Sequence, residues 1–363
     1  MSKTAINHTS QESSNKIAIA QGRTTGATPS NLSELVTSTL PKIATLQTGQ
    51  GTDLYGPSDL TLQIAQKPER PLRVLFLTSI RDVGRDERVG KLRRVKGQTG
   101  GRAVTRTVGT IETVLRESLP GGELDGYVEV AGIVSDDMPR DFTFRGTSHR
   151  SNYVADPGEK GHWIFDRELA LPDGSRAVDV CKNIPSDFRA CPVDDFKERA
   201  KRKFYFESSV HDFFKDTNAD VILSDHYMAK IEYLFDKQYF NLGGRVLNTH
   251  PGITHRENPF RTLGNNPYVA MRDHARGRAK VDGEYVEIEP HKIGGASFHF
   301  LTSSIDGGAV LCDAETTPVS PGEGDTSLAA RLYKRSKRDV VLAGLKYYAS
   351  SVFPYVRSLE KLG

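Results

Sequence analysis

Four apolar runs of strand length, separated by stretches of helical periodicity, constrain this chain more than any other feature. They are "LRVLFLTS" (72–79), "GYVEVAGIVS" (126–135), "ADVILS" (219–224) and "GRVLNTH" (244–250). A strand that is apolar on both faces of its pleat offers no side to water, so it belongs inside a sheet covered by helices on both sides. The helical candidates between them are 106–118, with Val108, Ile111, Val114 and Leu115 on one face, and 193–216, with Phe196, Ala200, Phe204 and Phe214. This alternation predicts an α/β fold: a Rossmann-like, doubly wound, mostly parallel sheet. After residue 292 come two extended segments, "GGASFHFL" and "GGAVLCDAETTPV", joined through "TSSIDGG" and close enough to be neighbouring strands. One long amphipathic helix is then predicted over 326–353, burying Leu328, Leu332, Val340, Val341, Leu345 and Tyr348.

Residues 1–70 are rich in Ser, Thr, Asn, Gln and Gly and poor in aromatics, and they read as a flexible extension ahead of a folded domain over 71–363. One short docking helix fits within it, "SNLSELVTSTLPKI", with Leu32, Leu35, Val36 and Leu40 at helical spacing. Its start lacks the Arg-rich amphipathic pattern of an organellar transit peptide. Lys and Arg number 49 against 46 Asp and Glu, so the molecule as a whole is no magnet for nucleic acid or anionic lipid, and any basic patch must be local. Three cysteines without CxxC spacing argue against a disulfide framework or a structural zinc site. No run approaches the length of a membrane span, and a soluble, cytoplasmic protein is expected.

Several familiar motifs are absent. No GxGxxG follows the first strand, no GxSxG marks a hydrolase serine, and no HExxH or His/Cys cluster supports a metal. "GRDERVGKL" (84–92) imitates a phosphate loop but has one residue too many between its glycines and puts Leu92 where a magnesium-binding hydroxyl belongs. The segment 81–106 holds nine basic residues against three acids at the rim after the first strand. It reads either as a solvated loop or as a recruiter of anionic ligands. RNA contact is the weakest reading, because aromatics for base stacking are missing.

The informative constellation is Asn248, His250, His299 and Asp306. Asn248 and His250 end an apolar strand, where open α/β sheets bind their ligands. Two residues apart on a strand, both side chains point to one face and both can donate to one oxyanion. Asp306, ahead of Gly307 and Gly308, reaches the same rim if 295–301 lies beside 245–249, and a carboxylate there favours a charged His250 ring. Such a set suits acyl chemistry without a covalent nucleophile. His211 and His226 are read as structural or incidental.

These residues resemble a known family. "LNTHPG", "GGASFHFLTSSIDGGAVLCDAETTPV" and "DTSLAARL" are similar to the folate-dependent formyltransferase domain of glycinamide ribonucleotide, methionyl-tRNA, sugar-amine and hydroxyornithine formyltransferases. The resemblance covers about 72–352 and implies 10-formyltetrahydrofolate as formyl donor, a small-molecule amine acceptor and no metal. It implies catalytic roles for Asn248, His250 and Asp306, with His299 and Gly307 supporting. The folate pocket would include Tyr227, Met228 and Lys230 from "SDHYMAKI" and Thr302, Ser303 and Ile305 before the Asp. Relative to that pattern the chain carries insertions at about 136–192 and 276–292 and replaces the usual "SLLP" run with "GITHRENPFRTLG". It also lacks the Gly/Ser phosphate loop of a ribonucleotide acceptor. The long Asn-to-Asp spacing and "HPGIT" most resemble the siderophore-type hydroxyornithine formyltransferases. Two other readings stay open: a formyltetrahydrofolate deformylase, in which water attacks, and a non-catalytic binding module using the basic 81–106 loop.

Overall fold

The computed structural model describes residues 46–47, 67–80, 89, 92–96, 102–138 and 164–360, apart from 228, 256, 257, 265 and 303–305. The short helix expected near 30–40, most of the phosphate-loop imitation and most of the basic 81–91 stretch lie outside the described residues, as does 139–163 of the first insertion.

In chain order the elements are β1 (Leu46–Gln47), β2 (Leu72–Thr78), β3 (Leu92–Lys96), β4 (Arg102–Arg106), α1 (Thr110–Glu117), β5 (Val128–Ser135), β6 (Cys181–Asn183) and α2 (Phe196–Asp216). There follow β7 (Val221–Asp225), β8 (Val246–His250), α3 (Pro267–Ala275), β9 (Arg278–Val281), β10 (Glu284–Glu287), β11 (Ile293–Phe300), β12 (Val310–Pro318), α4 (Asp325–Lys334), α5 (Ser336–Tyr347) and α6 (Phe353–Glu360). Eight strands form one sheet in the order β1-β12-β11-β8-β7-β2-β5-β6. β6, β5, β2, β7 and β8 run parallel, while β11 is antiparallel to both β8 and β12. The four apolar runs are thus β2, β5, β7 and β8, and β2, β5 and β7 are buried along nearly their whole length.

Alternation along these strands divides the core in two. Val74, Phe76, Val221, Leu223, Leu247, Phe298 and Phe300 face Ile111 and Val114 of α1 and Val340, Val341 and Leu345 of α5. Leu75, Leu77, Ile222 and Val246 face Phe206, Val210 and Phe214 of α2. The first face of α1 agrees with the sequence reading, except that Val108 precedes the helix and is 36% exposed. For α2 the predicted face is corrected: Phe196 is 72% exposed, and the buried stripe is Lys203, Phe206, Glu207, Val210, His211 and Phe214. Glu207 explains part of the shift. Its carboxylate accepts the backbone N–H groups of Glu232, Tyr233 and Leu234, pinning the loop that follows β7.

The single C-terminal helix expected over 326–353 is interrupted. Arg335 leaves helical geometry (φ −124°, ψ −104°), ending α4 and starting α5. The cause is Ser336, fully buried, whose hydroxyl bonds to Thr317 Oγ1 at 2.7 Å and the Gly294 carbonyl at 3.1 Å on the neighbouring strands. All six apolar residues expected on the buried face are buried. Two hairpins escaped the sequence reading: β3–β4, within the basic segment and overlapping the expected start of α1, and β9–β10, within the second insertion. Among the described residues no helix is long and apolar enough to cross a membrane.

Candidate active site

The carboxyl end of β8 carries Asn248 and His250 on the α2 face of the sheet, with Thr249 between them on the α5 face. β11 lies alongside in a register that sets Asn248 opposite His299 and His250 opposite Ser297, so all four side chains share one face. After β11 the chain turns back sharply. A Cβ on Gly308 would sit 1.8 Å from the Phe300 carbonyl oxygen, so only glycine fits there. Gly308 therefore carries a steric requirement of its own, two residues after Asp306. Asp306 adopts a left-handed backbone (φ 49°), which Asp tolerates better than most residues.

This turn brings the Asp306 Oδ1 atom 3.5 Å from His250 Nδ1 and 3.9 Å from His299 Nε2. Its other oxygen accepts the Gly264 N–H at 2.9 Å. The buried ring of His250 donates through Nε2 to the Thr262 carbonyl at 3.0 Å, because a carbonyl can only accept. Nδ1 is then left facing the carboxylate. The expectation of a charged His250 is corrected: burial lowers its pKa to about 4, outweighing the upward pull of Asp306. His299 is also pushed down by burial. Its Nδ1 donates to the Phe300 carbonyl at 2.9 Å, leaving Nε2 to accept from the Asn248 amide at 3.2 Å. A neutral acceptor nitrogen there fixes the orientation of the Asn248 amide, with its second N–H available to a ligand.

These groups open into a cavity of about 550 Å³. Of the expected folate contacts, Tyr227, Lys230 and Thr302 line it, while Met228, Ser303 and Ile305 lie outside the described residues. The cavity also takes in residues that sequence reasoning missed: Leu301, Asn266, Tyr268, Asp325, Thr326 and, above all, His226. His211 packs against Phe240 with ring centroids 4.5 Å apart, in agreement with a structural role. His226 lines the cavity with a left-handed backbone (φ 58°), which the sequence did not signal. Nor did the sequence signal what backs it. Lys337 of α5, 1% exposed, donates to Asp225 at 2.8 Å and reaches His226 Nδ1 at 3.4 Å. Asp225 is buried too, and the charge of Lys337 holds its carboxyl well below the usual carboxylate range against the opposing effect of burial. Among the described residues no three His, Cys, Asp or Glu side chains converge as a metal ion requires.

No protein-family model and no curated protein matches the chain in sequence. Among solved structures, the N10-formyltetrahydrofolate-dependent formyltransferase PvdF of pyoverdin biosynthesis is 25% identical, aligning over 77% of this chain and 99% of its own, with a TM-score of 0.63. A phosphoribosylglycinamide formyltransferase from Bacillus halodurans is 16% identical over 77% of this chain and 96% of its own (TM-score 0.42). A formyltetrahydrofolate deformylase from Burkholderia mallei is 17% identical over 79% of this chain and 66% of its own (TM-score 0.39). The last two superpose too loosely to carry an argument. The α/β sheet, the quartet at the end of β8 and β11, and the likeness to PvdF agree, and together they support the folate-dependent formyltransferase family for this chain.

Proposed function

We propose that the protein transfers the formyl group of N10-formyltetrahydrofolate to an amine or hydroxylamine nitrogen of a small acceptor, with N-hydroxyornithine or a related amino acid as the acceptor class. The observation that carries this reading is the Asp306 carboxylate 3.5 Å from a neutral His250, at the mouth of a cavity that Asn248 also lines. Likeness to PvdF supports the choice of donor, while the acceptor class rests on the resemblance of "HPGIT" and the long Asn-to-Asp spacing to the siderophore-type hydroxyornithine formyltransferases. The cavity's own chemistry suits such a donor: Tyr227, Ile231 and Leu301 offer an apolar wall for the flat ring, and Lys230, half exposed, offers a cation for carboxylates of the tail. Met228, Ser303 and Ile305 complete the proposed folate contacts.

When bound, the donor supplies an electrophilic formyl carbon attached to a nitrogen leaving group. Asn248, with its amide oriented by His299, donates to the formyl oxygen as negative charge gathers there. The Asp306–His250 pair takes the proton released by the attacking nitrogen, directly or through one water, and returns one to the departing nitrogen. A ring that enters neutral is the right state for this, because a proton acceptor must be empty. The proposed division of labour thus gives oxyanion stabilisation chiefly to Asn248 and proton handling to His250 and Asp306.

The test incubates the purified protein with 10-formyltetrahydrofolate and ornithine, N-hydroxyornithine, an amino sugar or glycinamide ribonucleotide, following tetrahydrofolate release. Acceptor-dependent release is expected. Formate appearing at the same rate without acceptor would reject transfer in favour of hydrolysis. Asn248→Ala and Asp306→Ala should each lower turnover at least a hundredfold, about 2.7 kcal/mol of transition-state stabilisation, with unchanged circular dichroism.

A further inference from the structure

Two main-chain groups govern how the His250 and Asp306 side chains stand: the Thr262 carbonyl that accepts from His250 Nε2, and the Gly264 N–H that donates to Asp306. A main-chain group has no reach of its own, so its place is that of the segment carrying it, 258–264. Close packing fixes the inner side of this segment. The Thr262 N–H donates to the Ile253 carbonyl at 2.8 Å, and a Cβ on Gly252 would stand 2.1 Å from Thr262 Oγ1 and 3.0 Å from His250 Cδ2.

The outer side is held by side chains that do not line the cavity. Phe260 lies flat on the His291 ring, with centroids 3.7 Å apart and planes 6° from parallel, and the His274 ring meets it edge-on at 5.7 Å. Asn258 donates to the buried Glu315 carboxylate at 3.3 Å, and His291 Nε2 lies 3.5 Å from the same oxygen. Asn258 also accepts the Phe260 N–H at 2.8 Å, which ties both contacts into one turn. His291 belongs to the second insertion. Its N–H donates to the His274 carbonyl at 2.9 Å, and the β9–β10 hairpin ahead of it is fastened to α3, where Asp273 accepts from Arg278 at 2.7 Å and from Tyr285 at 3.1 Å. The insertion lines no part of the cavity, yet it supplies the flat ring on which the active-site segment rests.

We propose that His291 and Phe260 are positioning residues for formyl transfer, their stacked rings holding 258–264 so that its backbone aims His250 and Asp306. The inference rests on the formyl-transfer reading for the reaction it serves. Near the reacting atoms a misplacement of about 1 Å costs roughly a hundredfold in rate, so a stack outside the cavity can govern turnover without touching a substrate.

Kinetics and the state of the ring test it together, in the full chain. His291→Ala and Phe260→Leu should each lower kcat at least tenfold, while the KM for 10-formyltetrahydrofolate and the calorimetric Kd for tetrahydrofolate stay within about twofold. His291→Phe restores a flat ring and should bring kcat back to within roughly threefold of the unaltered protein. NMR titration then follows His250, its imidazole signal assigned by its loss in His250→Gln. The charged and titratable groups around that ring, Asp306 and His299 on its own face and Lys337 of α5, are the same in every other variant. A loosened segment admits water, so the midpoint should move from about 4 toward 6.5 in His291→Ala and Phe260→Leu and stay low in His291→Phe. Unchanged kcat in both disruptive variants, a loss confined to KM, or His291→Phe as slow as His291→Ala overturns the proposal. Should the unaltered protein release no tetrahydrofolate with any acceptor, the transfer reading falls and the His250 midpoint alone decides: one that moves keeps the stack as the holder of the ring, and one that stays sinks it.

Discussion

The two faces of β8 solve the problem of buried polar groups in opposite ways within three consecutive residues. On the α5 face, Thr249 donates to Asp225 at 3.1 Å, and Asp225 meets Lys337 as a fully formed ion pair sealed from water. On the α2 face, Asn248 and His250 meet His299 and Asp306, where both rings are kept neutral by burial and one proton position remains negotiable. A sealed pair has its charges satisfied and holds position. An open set with a vacant ring nitrogen can do chemistry. The difference teaches that burial alone does not decide charge state: a full opposing charge at 2.8 Å overrides it for Asp225, whereas a carboxylate at 3.5 Å does not for His250.

The sharpest way to break this comparison is to remove one half of the sealed pair. Lys337→Met leaves Asp225 buried without its cation and should destabilise the protein by about 3–5 kcal/mol, read from denaturant midpoints. Adding Asp225→Leu should recover much of that loss, because two apolar groups need no partner; no recovery would mean the pair is not the source. On the open face, His299→Phe should leave the fold intact but free the Asn248 amide to turn, lowering turnover roughly tenfold to a hundredfold with little change in substrate KM. An unaltered rate would show that His299 does not orient the amide. A pH series separates the faces next. With the His250 pKa lowered to about 4, turnover should hold between pH 6 and 8 and fall as the ring takes a proton near 4, whereas a mechanism needing a charged ring would lose activity as pH rises through 6.5. Stability follows the same sign: between pH 6.5 and 4 the unfolded ring binds a proton and the folded ring does not, so stability declines as pH falls through that window. The smallest effect belongs to Thr249→Val, which removes one hydroxyl from the sealed side and should cost about 1 kcal/mol.

How much of this could be read beforehand depended on what each segment buries. β2, β5, β7 and β8 announced themselves because strands covered on both sides must be apolar throughout, and Asn248, His250, His299 and Asp306 because polar groups at the end of such strands need a reason. The hairpins did not, since "LRRVK", "RAVTR" and the largely exposed 278–287 segment carry no core-facing alternation. Lys337 sits in "KRSKRD", where every cation looks solvated, and nothing local distinguishes the one that points inward. Thr262, whose carbonyl fixes the tautomer of His250, contributes only backbone, which any residue could supply. The charge state of His250 was misjudged for a related reason: the pairing with Asp306 was legible in spacing, while the depth of burial that opposes it exists only in three dimensions.

Asp306 owes its aim to a backbone dihedral rather than to side-chain reach. Lengthening it to Glu would preserve the negative charge and overshoot the imidazole, while Asn would keep the contour and lose the charge and the capacity to take up a proton. Those two replacements therefore divide geometry from basicity at one position, and comparing their residual rates would show which of the two the enzyme can less well do without.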